Sequence, residues 1–238
     1  MTSNTLKSVF WSGFRDGSPF ILVAVPFALL FGVISIDAGL DLVETMTMSA
    51  LVVAGAAQFT AISLMLDHAP TFIVLLTALA VNLRLAMYSA ALVPHLGKTP
   101  FWLRALMAYF MVDQAFAVAF KKFEEQPAMS QAHKIAYYFG CLTPIVPLWY
   151  VFSYVGAVAG QKIPAELSLD FAIPICFIAL TAPMMRSLPH FVAALVSVAA
   201  TLALIWVPYN LGLIIAAILA MIAGAQVELW LKRRAAHD

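Results

Sequence analysis

Long apolar runs alternate with short polar punctuation along nearly the whole chain. Read at helical pitch, the runs predict spans near residues 18–36, 45–66, 71–93, 103–120, 135–158, 170–185, 190–207 and 209–230, because about 20 helical residues cross the ~30 Å hydrocarbon core of a bilayer. The second run carries Gly55 among small residues and also reads as re-entrant, and the sixth is short and interrupted by prolines, so seven spans is the alternative to eight. Ahead of them, residues 1–17 place Leu6, Val9, Phe10, Gly13 and Phe14 at helical spacing beside Lys7 and Arg15. That pattern predicts an amphipathic segment lying in the membrane interface. It does not read as a signal peptide, since the next apolar run continues as a full span with prolines in it. Residues 18–230 then form a single transmembrane domain and 231–238 a basic cytoplasmic tail.

Composition agrees with the pattern. Of the 238 residues, 63% are hydrophobic and 11% charged, and the mean hydropathy is +0.95. A chain with so little polar surface cannot cover itself in water, which excludes soluble enzyme folds and leaves an all-helical, multi-pass membrane protein. The net charge of +1 is spread over loops and tails and gives no basic face for nucleic acid. With the N-terminus inside, the inner segments carry Lys7, Arg15, Lys121, Lys122, Lys134, Arg186, Lys232, Arg233 and Arg234, and the outer loops Lys98, Arg104 and Lys162. This asymmetry predicts that both termini are cytoplasmic. Arg84, the last of the 13 basic residues, falls inside the third span.

Prolines mark two spans as imperfect. Pro19 and Pro26 lie in the first and Pro174 and Pro183 in the sixth, and each run follows an aspartate, Asp16 or Asp170. Each proline removes a backbone donor and frees a carbonyl. Interrupted segments in matching places of two halves point to an inverted repeat with a site between them.

The polar residues at membrane depth are Gln58, Asn82, Arg84, Asp113 and Gln114. A charge at the bilayer centre costs at least ~2.5 kcal/mol and must be paired or hydrated. Arg84 and Asp113 are the charges in that set, at nearly equal depth on consecutive spans, so a bridge between them is expected. Tyr88 and His95 continue the Arg84 face of one helix, Asn82, Ala86 and Ser89 make a second stripe, and Tyr109 stands four residues before Asp113. Guanidinium and amide donors facing a carboxylate suit the two ends of a zwitterion. The plainer alternative is helix glue, at ~0.6 kcal/mol per interhelical polar pair.

Other chemistry is missing. Cys141 and Cys176 are lone residues inside spans, and there is no GxSxG elbow, HExxH pair or phosphate loop. No catalytic residue, metal site or cofactor is expected, and the chain does not read as an enzyme. Gly156 and Gly160 form a GxxxG that marks a close helix contact.

The stretches AGAAQF at 54–59, NLRLAMY at 82–88, DQAFA at 113–117, LDFAIP at 169–174 and VPYNLGLIIAA at 207–217 resemble, in order and spacing, the AzlC family, the large subunit of bacterial branched-chain amino acid exporters. The resemblance runs from about residue 12 to 228. It implies export of valine, leucine and isoleucine, with methionine as a further candidate, across the bacterial inner membrane, with a small multi-span partner of the AzlD type. It marks Gln58, Asn82, Arg84, Tyr88 and Asp113 as motif positions. This chain carries Leu85 where relatives often have histidine and Gln114 where they often have glutamate, so both departures remove a titratable group. The rival reading from another class is a membrane scaffold or sensor subunit whose buried polar groups only hold a partner.

Overall fold

The computed structural model describes residues 5–161, 178, 185, 187–207 and 211–235. The protein is all-helical, and the described residues contain no strand. Four helical stretches among them are long and apolar enough to cross a membrane: Leu6–Asp37, Thr71–Leu96, Gln131–Gly160 and Leu211–Arg234. The chain forms two compact units, one of Met1–Ile62 with Val81–Leu169 and one of Ser63–Ala80 with Asp170–Asp238.

Two kinked helical columns frame the first unit. Helix α1 (Leu6–Gly17), capped by the Thr5 hydroxyl, passes through the 3-10 turn Ser18–Phe20 into α2 (Ile21–Asp37). Helix α8 (Gln131–Leu142), which begins beside the Ser130 cap, bends at Thr143-Pro144 into α9 (Val146–Gly160). The columns run side by side in the same direction, α1 on α8 and α2 on α9. Glycines allow this. A Cβ on Gly13, Gly140, Gly32 or Gly156 would strike the carbonyl oxygen of Tyr137, Phe10, Ser153 or Leu29 respectively, and one on Gly17 would lie 2.7 Å from the Cys141 oxygen. Small residues let backbones approach closely where lipid supplies no hydrophobic drive. The GxxxG of Gly156 and Gly160 is thus one side of a longer glycine seam. Pro19 lies in the kink, while Pro26 sits inside the continuous α2, so the first span is bent at one of its two prolines. Pro174 and Pro183, and with them the expected pairing of first and sixth spans, lie outside the described residues.

The second and fourth predicted spans are each two short helices. Helices α3 (Leu42–Leu51) and α4 (Gly55–Leu66) are separated by extended residues 52–54. The Gln58 amide donates to the Met48 carbonyl at 3.3 Å, which requires α4 to fold back beside α3. Gly55 lies against Phe27 and Trp149, and Phe59 reaches both Phe27 and Phe31, so α4 returns toward the Asp37 end from which α3 came. The re-entrant reading of the second run is the one the geometry favours.

The fourth run behaves likewise, against the expectation of a crossing helix at 103–120. Helix α5 (Thr71–Leu96) turns into α6 (Phe101–Tyr109), whose Arg104 donates to the Gly97 carbonyl. After 110–112 the chain reverses into α7 (Asp113–Glu125), which follows α5 in the same direction: Asp113 meets Arg84, Phe116 meets Tyr88 and Glu124 meets His95. The Gln131 amide then donates to the Thr99 hydroxyl at 2.7 Å, closing the hairpin at the end where it began. The tips of the two hairpins touch, the Tyr109 hydroxyl donating to the Ala50 carbonyl. The entering limbs, α3 and α6, are about 15 Å and 14 Å long and together match the ~30 Å hydrocarbon core. Unwound backbone at that depth must be shielded by protein, and Val53, Ala54 and Met111 are buried.

This fold-back moves Lys98 and Arg104 from the expected outer side to the end that also holds Lys7, Arg15, Lys121, Lys122 and Lys134. The opposite end of the unit carries Asp37, Asp41 and Glu44, with no Lys or Arg among the described residues. Single cysteines replacing Lys98 and Lys121 are therefore expected to react with a membrane-impermeant maleimide from one side, and a cysteine replacing Glu44 from the other. Labelling of positions 98 and 121 from opposite sides would restore a crossing fourth helix.

In the second unit, α10 (Leu188–Ala203) and α11 (Leu211–Ala235) pack as an antiparallel pair. Gly224 of α11 lies against Ala193 and Pro189, and Leu195, Val198, Leu202 and Met221 are exposed.

Candidate functional site

Helix α7 begins abruptly. Val112 is extended, with φ −124° and ψ 154°, and offers no side-chain cap, so Asp113 stands in the first turn. The positive end of the helix dipole favours a carboxylate there, and Lys122 in the last turn suits the negative end. Arg84 lies near the middle of α5, about 18 Å from its Leu96 end. Its Nη1 is 3.0 Å from Asp113 Oδ2, and the two side chains remain 31% and 26% exposed. The expected bridge is present, between a continuous helix and the start of a half-helix.

Toward the basic end, aromatic rings close over the pair. Tyr88 stacks on Phe116 with centroids 4.0 Å apart, and Phe116 stacks on Phe120 at 5.4 Å. His95 meets Phe120 and Phe123 edge-on or tilted, and its Nε2 lies 2.9 Å from Glu124 at the mouth. The face of Arg84, Tyr88 and His95 is thus the face that α7 covers.

Several polar atoms here have no hydrogen-bond partner: Arg84 Nε, Asp113 Oδ1 and Asn82 Oδ1. Each is buried, and an unmet buried polar atom costs about 1–3 kcal/mol. Gln58 is fully buried on α4. Its amide nitrogen ties the first hairpin together through Met48, and its Oε1 is unpartnered. Gln114 is partly buried one residue beyond Asp113. Tyr109 and Asp113 do not share a helical face, because the break at 110–112 separates them.

Tyr109 stands out in the sequence for its spacing to Asp113, but neither its contact with the other hairpin nor that of Trp149 was legible there. Tyr109 joins the hairpin tips, and Trp149 donates from Nε1 to Ser49 at 3.1 Å while its ring covers Gly55. The faint signal was an aromatic with a polar tip deep in an apolar run, which is how Tyr and Trp sit when one end needs a partner. No group of His, Cys, Asp or Glu among the described residues is arranged to hold a metal ion.

The chain is similar in sequence to known membrane proteins. The chain is 28% identical to the inner membrane protein YgaZ of Escherichia coli over 72% of its own length and 71% of that protein's. It is 27% identical to an uncharacterized membrane protein of Archaeoglobus fulgidus, covering 78% of this chain and 80% of that one. A Helicobacter pylori membrane protein is 28% identical over 46% of this chain and 49% of its own. No solved structure matches. The AzlC protein family model matches residues 19–163, which run from the first kink through both hairpins and the Arg84–Asp113 pair to the end of α9; the chain belongs to the AzlC family.

Proposed function

We propose that this protein is a secondary transporter subunit that exports branched-chain amino acids such as valine, leucine and isoleucine, with methionine as a further candidate, across the bacterial inner membrane, together with a small AzlD-type membrane subunit. The observation that carries the reading is the Arg84–Asp113 bridge at mid-depth with an unpartnered donor and acceptor still attached to it. In the empty state the two charges satisfy each other. An entering amino acid separates them, its ammonium taking Asp113 Oδ1 and its carboxylate taking the guanidinium and the free N–H groups of the α7 first turn. Net charge is conserved in that exchange, so the site never holds an unpaired ion.

In this reading the aliphatic side chain is directed along α5 toward an apolar cavity of about 170 Å3 lined by Leu92, Val93, Met107, Ala108 and Met111, with Arg104 at its edge, which Arg84 and Asp113 do not themselves line. Alternating access then follows from the two hairpins, which enter from opposite ends and meet at their tips, so that movement of one opens the site to one side. In this topology the basic end of the first unit faces the cytoplasm. Gln58 and Gln114 support the hairpins, with the coupling role left to Asp113.

The test is efflux. Cells preloaded with a valine-containing dipeptide are expected to release valine faster when this gene is expressed with its small partner than without either. Equal efflux with and without the gene would leave the scaffold or sensor reading standing.

A further inference from the structure

A second polar hollow lies away from the Arg84–Asp113 pair, at the end of the first unit where the basic residues gather. It is a cavity of about 480 Å3 bounded by α1, by the C-terminal end of α7 with the segment after it, and by α8. Arg15 from α1 and Lys122 from α7 line it from two sides. The hydroxyls of Ser8 and Ser12 stand one helical turn apart on its α1 wall, and Gln126 adds an amide. Trp11, 53% exposed, stands at the rim.

The cations have capacity to spare. Asp16, the neighbouring acid, accepts the Tyr137 hydroxyl at 2.7 Å and is only 3.9 Å from Arg15 Nε. Glu125 is engaged by Lys121 at 3.9 Å. Lys122 has no carboxylate within ion-pair distance among the described residues, and its ammonium stands 5.8 Å from the centre of the Tyr137 ring. The hollow is therefore net positive and rich in donors.

We propose that this hollow binds a phosphate-bearing anion, with the headgroup of an anionic phospholipid in the adjoining leaflet as the occupant. Two cations, two hydroxyls and an amide suit the several acceptor oxygens of a phosphate diester. A zwitterionic amino acid fits poorly, because Arg15 and Lys122 repel its ammonium. The level fits as well: Gln131 at the start of α8 meets Thr99 just before α6, and α1 runs beside α8 from that level, so the hollow lies where α6 enters the hydrocarbon, within reach of the headgroups, where an indole such as Trp11 is at home.

The full chain, purified in non-ionic detergent, is to be incubated with phosphatidylglycerol or phosphatidylcholine and lipid retention read by native mass spectrometry, with inorganic phosphate tested in a parallel thermal-shift series. Phosphatidylglycerol is expected to be retained about tenfold over phosphatidylcholine, and R15Q/K122Q to lose that preference. The K98Q/R104Q protein, with equal charge removed at the same end, is expected to keep it. Ser12→Leu leaves both cations, replaces a hydroxyl donor on the wall between them by an apolar side chain that projects into the hollow, and is expected to reduce that preference. If inorganic phosphate stabilises the wild-type chain and not R15Q/K122Q, while both lipids are retained equally, the phosphate site stands and its occupant is the free anion. Equal loss in R15Q/K122Q and K98Q/R104Q, undiminished retention in Ser12→Leu, or no effect of any variant on lipid or phosphate overturns the proposal.

Discussion

An Asp113→Asn protein is expected to insert and fold yet to export valine at least about tenfold more slowly, the scale on which one charge-assisted contact acts. The substitution keeps the shape of the side chain and removes the charge that the Arg84 guanidinium meets at 3.0 Å. In a dry interior the stranded arginine would cost ~3–5 kcal/mol. Here the pair is partly open, at 31% and 26% exposure, so the folding penalty is expected to be on the order of 1 kcal/mol. Arg84→Ala should give the same loss of efflux. The double exchange Arg84→Asp with Asp113→Arg separates a transport site from a structural pair. It restores opposite charges across the contact but places an arginine at the positive end of α7, a penalty of ~0.3–1 kcal/mol. Folded yield is expected to recover while efflux does not, since the ammonium and carboxylate of the substrate would then meet like charges. Full recovery of efflux would make the bridge a strut, and normal efflux by either single variant would remove that residue from the mechanism.

A Gly156→Leu protein is expected to fold with sharply reduced stability. Even the first carbon of a side chain at Gly156 strikes the Leu29 carbonyl oxygen, with the Leu29 Cα at 3.0 Å. The obstacle is backbone, so no rotamer change relieves it and α2 must separate from α9 along the seam. Overpacking costs ~1–3 kcal/mol where side chains can adjust, and this site should exceed that range. Even at ~3 kcal/mol the melting temperature of a protein this size falls by about 10 °C. The graded comparison is Gly160→Ala, whose added carbon would lie 3.1 Å from Val33 Cα and 3.3 Å from the Ile36 side chain, a contact a small shift can absorb. Thermal unfolding in detergent should rank wild type above Gly160→Ala and Gly160→Ala well above Gly156→Leu. Equal stability of all three would deny the close approach of α2 and α9.

Much of this was written in the order of residues. An 11% charged chain with long apolar runs has to be a helical membrane protein, because only helices or closed barrels satisfy the backbone in lipid. Arg84 and Asp113 stood out because charge at membrane depth is costly enough to demand a partner. The spacing of Arg84, Tyr88 and His95 fixed a shared face, since helix periodicity is local. Gly156 and Gly160 announced a contact for the same reason.

What local pattern could not reveal was direction. An apolar run of about 20 residues looks the same whether it crosses or dips to mid-depth and returns, and neither 52–54 nor 110–112 contains a proline to mark the turn. Those breaks persist because distant groups satisfy the backbone they free: Gln58 and Tyr109 bind the carbonyls of Met48 and Ala50, and Trp149 covers Gly55. The sequence alone therefore determined that the protein lies in a membrane and which charges must meet there. The tertiary structure decided that they meet at the tip of a re-entrant hairpin, because only contacts far apart in the chain can shield unwound backbone from lipid.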